Sequence, residues 1–126
     1  MISVTYPNYR TIIHQNYISY LYHDGTEKRI YDNGDKYWYL NGKLHREDGP
    51  AIECFNGYKA WWLNGELHRI DGPAIECSNG DKYWYLNDQL HRIDGPAVEE
   101  SNGDKQWYIN GVELTEEQFL AEVMKR

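Results

Sequence analysis

The chain has 126 residues, about one domain's worth, and a formal net charge of −7. That acidity repels nucleic-acid phosphates and disfavours a direct grip on DNA or RNA. Twelve tyrosines and five tryptophans exclude a disordered chain and favour strands.

The first residues, Met-Ile-Ser-Val-Thr-Tyr-Pro, lack a basic region followed by an apolar run, so they do not read as a secretion signal. No apolar stretch approaches the length of a membrane span. The expected compartment is the cytoplasm. Residues 1–32 read as an N-terminal cap carrying a degenerate half-repeat. In it, His23-Asp24-Gly25 stands in for an Asp-Gly-Pro turn found further on. Tyr6, Tyr9, Tyr17, Tyr20 and Tyr22 would cover one end of a sheet.

Residues 33–114 are tandem repeats. Residues 33–54 read NGDKYWYLNGKLHREDGPAIEC, residues 56–77 NGYKAWWLNGELHRIDGPAIEC, and residues 79–100 NGDKYWYLNDQLHRIDGPAVEE. A shortened copy follows at 102–111. Trp38, Trp61, Trp84 and Trp107 mark a 23-residue period. Each unit carries Asn-Gly turns, at 33–34, 41–42, 56–57, 64–65, 79–80, 102–103 and 110–111, with Asn87-Asp88 replacing one. Asn-Gly is the strongest short hairpin signal, because a type I′ turn needs positive φ at both central residues.

Between turns, 35–40 alternates, with Lys36, Trp38 and Leu40 on one face and Tyr37 and Tyr39 on the other. The return segment, 43–54, is interrupted by Asp48-Gly49-Pro50, where proline forces a bend or bulge. Two strands per repeat are expected, one kinked; three short strands are the alternative. Stacking gives a mainly β protein, an elongated antiparallel meander of β-hairpin repeats. Its seam would be the Trp–Leu/Ile column, joined by Ile52, Ile75 and Val98. Cys54 and Cys77 occupy equivalent places about 9–10 Å apart, beyond the ~7 Å Cα span of a disulfide. They read as free thiols.

Residues 115–126 form a C-terminal capping helix. Thr115-Glu116-Glu117-Gln118 is a capping box. Phe119, Leu120, Val123 and Met124 share one side, and Lys125 and Arg126 suit the C-terminal dipole.

The candidate contact residues are aromatic. Tyr39, Trp62, Tyr85 and Tyr108 form a column opposite the Trp–Leu face, with Tyr37 and Tyr83 beside them in a column that varies to Ala60 and Gln106. A single sheet cannot bury both faces by itself, and Tyr and Trp are typical interface anchors. The alternative is burial by twist and the terminal segments. His45, His68 and His91 recur with Arg46, Arg69 and Arg92 and with Asp48, Asp71 and Asp94. Their spacing spreads them too far apart for one metal ion or a convergent catalytic cluster. Asp then caps the Gly-Pro turn, His packs on a Trp, and Arg pairs with local acids.

The order Trp, Asn-Gly, His, Gly, then Asn-Gly over residues 33–111 resembles the MORN repeat. The fuller wording, Trp-Tyr-x-Asn-Gly-x-x-His-Arg-x-Asp-Gly-Pro-Ala, resembles repeats of small phage and giant-virus proteins. The resemblance implies a non-catalytic scaffold that docks on a protein; no cofactor or metal is expected. A viral origin implies a host partner, inhibited in the host cytoplasm, such as a defence protein. Self-association into a homodimer stays open. Two other readings stand beside it. One is a nucleotide or sugar binder using the aromatic face, which an unbroken stripe of Lys36, Lys59, Lys82 and Lys105 would favour. The other is an acidic nucleic-acid mimic built on Glu53, Glu76 and Glu99.

Overall fold

The computed structural model describes residues 2–126. Four full strands come first: β1 (Ile2–Thr5), β2 (Tyr9–Ile13), β3 (Tyr17–Tyr22) and β4 (Thr26–Tyr31). The repeats follow with β5 (Lys36–Leu40), β6 (Lys43–Leu44), β7 (Ile52–Glu53), β8 (Lys59–Ala60), β9 (Trp62–Leu63), β10 (Glu66–Leu67), β11 (Ile75–Glu76), β12 (Lys82–Tyr83), β13 (Tyr85–Leu86), β14 (Gln89–Leu90), β15 (Val98–Glu99), β16 (Lys105–Ile109) and β17 (Val112–Leu114). One helix, α1 (Glu116–Val123), closes the chain.

The strands form one antiparallel meander in the order β1-β2-β3-β4-β5-β7-β8-β11-β12-β15-β16-β17, with β6 paired to β5. The accessible surface is 7988 Å², against about 7,000 Å² for a compact protein of this mass. The molecule is elongated, and its fully enclosed apolar residues are small, Ala51, Ala60, Ala74 and Ala97; Val98, Ile109 and Phe119 are the larger buried side chains.

Each central repeat gives the main sheet two strands, such as β8 and β11, and sets a two-stranded ribbon beside it, β9–β10 or β13–β14. The tryptophan strand breaks at Trp61 and Trp84, as well as the return segment. The cause is a change of partner. The Trp61 N–H donates to the Ala74 carbonyl at 2.7 Å, while its carbonyl accepts from the His68 N–H at 3.0 Å. Trp84 repeats this arrangement with Ala97 and His91; Trp38 makes the same two bonds with Ala51 and His45, but β4 pairs along the whole of β5 and keeps that strand continuous. The residue before the break serves the sheet and the residue after it serves the ribbon.

The Asn-Gly turns are of two kinds. Asn41-Gly42, Asn64-Gly65, Asn87-Asp88 and Asn110-Gly111 have positive φ at both residues, as type I′ turns require. At Asn33, Asn56, Asn79 and Asn102 only the following glycine is left-handed. There the asparagine Oδ1 accepts the N–H two residues on, and the glycine N–H donates three residues back, as Gly34 does to Tyr31 at 2.9 Å. This is a type I turn with a glycine bulge. His23-Asp24-Gly25 has the same geometry: Gly25 lies at φ 93° and Thr26 N–H donates to Asp24 Oδ1. It is therefore a hairpin turn and does not replace Asp-Gly-Pro, whose glycines are not left-handed.

Register corrects the seam. Ile52 pairs with Tyr37 and Ala60, Ile75 with Ala60 and Tyr83, and Val98 with Tyr83 and Gln106. Directly opposed residues share a face. Ile52, Ile75 and Val98 thus lie on the tyrosine face and do not join the Trp–Leu column. Residues 2–31 extend the sheet edge to edge and do not fold across its end. At the other end the capping box of α1 forms as expected, and Phe119 is buried, while Leu120 and Met124 are exposed. The helix ends at Val123, so Lys125 and Arg126 fall beyond its last turn.

Candidate functional site

The Trp face carries the most regular side-chain construction. Arg46, Arg69 and Arg92 lay their guanidinium groups over Trp38, Trp61 and Trp84 at 3.8, 3.8 and 3.9 Å from the ring centroids. Each Nε donates to the aspartate two residues on, Asp48, Asp71 or Asp94, at 2.8–3.0 Å. Each Nη1 donates to the proline carbonyl, Pro50, Pro73 or Pro96. It also reaches Glu53 and Glu99 at 3.1 Å and Glu76 at 3.6 Å. Three jobs fall to one planar fork, which lysine could not perform. The intervening glycines make room for it: a Cβ on Gly72 would lie 2.9 Å from Arg69 Cζ.

The histidines join successive repeats. His45 Nδ1 accepts the Asn64 N–H at 2.9 Å, His68 Nδ1 that of Asn87 at 3.0 Å, and His91 Nδ1 that of Asn110 at 2.9 Å. Each ring must leave Nδ1 unprotonated to do this. Burial, with Arg126 nearby, pushes the His91 pKa below its usual value.

Between consecutive Arg-x-Asp-Gly-Pro loops lie two equivalent clefts of about 710 and 690 Å³. The first is floored by Trp61, Leu63 and His68, the second by Trp84, Leu86 and His91. Their lips carry Ile70, 87% exposed, and Ile93, 49% exposed. Glu47 holds the corresponding place in the first loop, so the row grades from acidic to apolar.

The same face bears a cross-strand ladder of alternating charge. Register places Lys36, Glu53, Lys59, Glu76, Lys82, Glu99 and Lys105 in succession across the sheet. The lysines are interrupted at every step, so they make no cationic track for a nucleotide backbone. The glutamates are flanked by lysine and tied to arginine, so they present no anionic column either.

The aromatic residues expected to bind a partner lie on the opposite face in two rows. Tyr37 and Tyr83 share a row with Ile52, Ala60, Ile75, Val98 and Gln106. Tyr39, Trp62, Tyr85 and Tyr108 oppose Leu44, Leu67, Leu90 and Glu113 across the hairpins β5–β6, β9–β10, β13–β14 and β16–β17. All six are half-buried. Burial raises the pKa of Tyr37, Tyr39, Tyr83 and Tyr85. Trp62 Nε1 is buried without a hydrogen-bond partner.

A polar knot lies further along this face. Ser19, 2% exposed, bonds His14 Nε2 at 3.1 Å and donates to Glu27 Oε2 at 3.0 Å. Glu27 also takes the Arg29 Nε at 2.7 Å. Burial raises the Glu27 pKa, but the bonds from Arg29 and Ser19 outweigh it and hold the carboxyl below its usual value. Serine sits between histidine and carboxylate, so no carboxylate orients the histidine as a base, and the hydroxyl is closed to substrate.

Cys54 and Cys77 are half-buried free thiols whose pKa burial raises, which makes them poor nucleophiles. Among the described residues, no group of His, Cys, Asp and Glu could hold a metal ion, and no helix is long and apolar enough to cross a membrane.

No protein-family model and no curated protein matches this chain. The pairing of each Arg with nearby acids was legible in the sequence; that Arg, where His was expected, lies on each Trp was not, and neither were the clefts. The signal available was the change from Glu47 to Ile70 and Ile93 at a position between two charged residues, where an apolar side chain has no local use.

Proposed function

We propose that this chain is a non-enzymatic, MORN-like protein-binding repeat module that grips an extended segment of a partner along its Arg-x-Asp-Gly-Pro loops. The observation that carries the reading is the pair of equivalent clefts, one repeat apart, with exposed isoleucines at their lips. Solvent-exposed isoleucine on a rigid, hydrogen-bonded loop suits contact better than framework. Two strands per repeat give a pitch of about 9–10 Å. A polyproline-type segment advances about 9.3 Å in three residues and returns the same face. Apolar or proline side chains three apart in such a segment fit one to each cleft, beside the arginine-stacked Trp61 and Trp84. A basic residue at one end meets Glu47 and Asp48. The tyrosine face then serves as framework. The likeness of the repeat wording to small viral proteins makes a host protein the first partner class to test.

A displayed library of short random peptides tests this directly. Enriched sequences should carry apolar or proline residues three apart with a flanking Lys or Arg. Ile70→Asp with Ile93→Asp should weaken their binding at least tenfold and leave the thermal midpoint unchanged, because both side chains are exposed. Enrichment of nothing, or binding that ignores the double variant, overturns the proposal.

A further inference from the structure

Among the described residues, β1 is the outermost strand at the N-terminal end of the sheet, and β2 is its only strand partner. All four of its residues are exposed. The Tyr6 N–H donates to the Tyr9 carbonyl at 2.7 Å. Hydrogen-bonded pairs alternate along an antiparallel ladder, so Ile2 and Val4, opposite Ile13 and Thr11, turn their backbone groups toward β2. The N–H and C=O of Ser3 and Thr5 therefore face outward, without a partner among the described residues. None of the usual protections of an edge is present: Ile-Ser-Val-Thr has no charge, proline or bulge.

A second observation adjoins the first. Ile2 and Val4, 62% and 42% exposed, lie on one face with exposed Ile13, which opposes Ile2, and with exposed Tyr6. They form an apolar strip running along the bare edge. The far end of the sheet is built differently, with α1 packed against β16 and β17 and Phe119 buried there.

We propose that β1 pairs antiparallel with β1 of a second copy of this chain, about a two-fold axis at Val4. Ser3 of each copy then faces Thr5 of the other, and these two pairs exchange four backbone hydrogen bonds. Val4 meets Val4 and Ile2 meets Tyr6, so the apolar strips become one. Charge permits a copy of the same chain at this edge and opposes one at the helix end. All 20 acidic residues lie from Asp24 onward, and the first 22 residues hold Arg10 as their sole Lys, Arg, Asp or Glu. Two copies of a −7 protein meet here with their carboxylates held apart. Meeting at the helix end would oppose Glu113, Glu116, Glu117 and Glu122. This pairing does not depend on the cleft reading, which concerns the loops of the repeats.

Sedimentation velocity of the full chain over a concentration series should show a reversible dimer. Ser3→Pro removes one outward donor and leaves the bonds to β2 in place; it should sediment as a monomer with an unchanged circular dichroism spectrum. Val4→Cys places two thiols in a non-hydrogen-bonded pair, with Cα atoms about 4.5 Å apart, inside disulfide range. It should oxidise to a covalent dimer, while the wild type, with Cys54 and Cys77 only, should not. A wild type that stays monomeric throughout, or a folded Ser3→Pro variant that still dimerises, overturns the proposal. So does a folded Val4→Cys variant that fails to cross-link.

Discussion

Replacing Arg69 by lysine keeps the charge and removes the fork, and the structure says what that costs. Lysine retains an ion pair with Asp71, whose side chain is 85% exposed and contributes little. It loses the 3.0 Å bond from Nη1 to the Pro73 carbonyl, which is part-buried and charge-assisted. Such a bond contributes roughly 1.5–3 kcal/mol. It also loses the flat stacking over Trp61 at 3.8 Å, about 0.5–1 kcal/mol at a partly exposed site. Glu76 is left with a more distant cation. The expected destabilisation is about 2–4 kcal/mol, a midpoint drop on the order of 8–15 °C for a domain of this size. Urea denaturation and a thermal melt, followed by tryptophan fluorescence, measure both. Asp71→Asn is the control and should cost under about 0.5 kcal/mol, as an exposed pair does. If Arg69→Lys matches that control, the stacked fork is an ornament of the loop and the loops are held by something else.

Two further outcomes follow from the turns and the histidines. His91 has a pKa depressed in the folded protein, so the unfolded chain binds the proton more readily. Its stabilising contribution is full above about pH 6.5, the unfolded value, and is lost as pH falls through the depressed folded value. Urea midpoints at neutral and mildly acid pH should therefore differ less in His91→Phe than in the wild type, and an equal pH dependence sinks the assignment. Asn64 sits at φ 50°, so Asn64→Ala should cost about 1–2 kcal/mol for a left-handed alanine. Asn56 is not left-handed and loses only its bond to the Tyr58 N–H. Asn56→Ala should cost about 0.5–1 kcal/mol, and equal costs in paired urea titrations contradict the two turn types.

The repeat, its hairpins and the C-terminal helix were legible because each rests on local chemistry. Asn-Gly pairs, the spacing of Trp38, Trp61, Trp84 and Trp107, and the Thr115–Gln118 capping box need no distant partner. The face taken by Ile52, Ile75 and Val98 was not legible. Side-chain alternation has period two, and its phase is lost across the Asp-Gly-Pro bend, where the chain leaves one strand and joins another. The two turn types were hidden for a related reason. The dipeptide is the same in both, and the pairing of the flanking strands decides whether asparagine must adopt positive φ.

What the sequence determined by itself is therefore the unit: which residues bend, which extend, and that Arg46, Arg69 and Arg92 find acids close by in the chain. Tertiary structure decided what the unit presents. It sets each guanidinium on a tryptophan eight residues back, and each histidine Nδ1 under an N–H nineteen residues on. It also interleaves lysine with glutamate so that neither charge forms a stripe. These outcomes depend on how neighbouring strands align, and cross-strand distances of about 5 Å join residues whose separation along the chain carries no mark of that meeting.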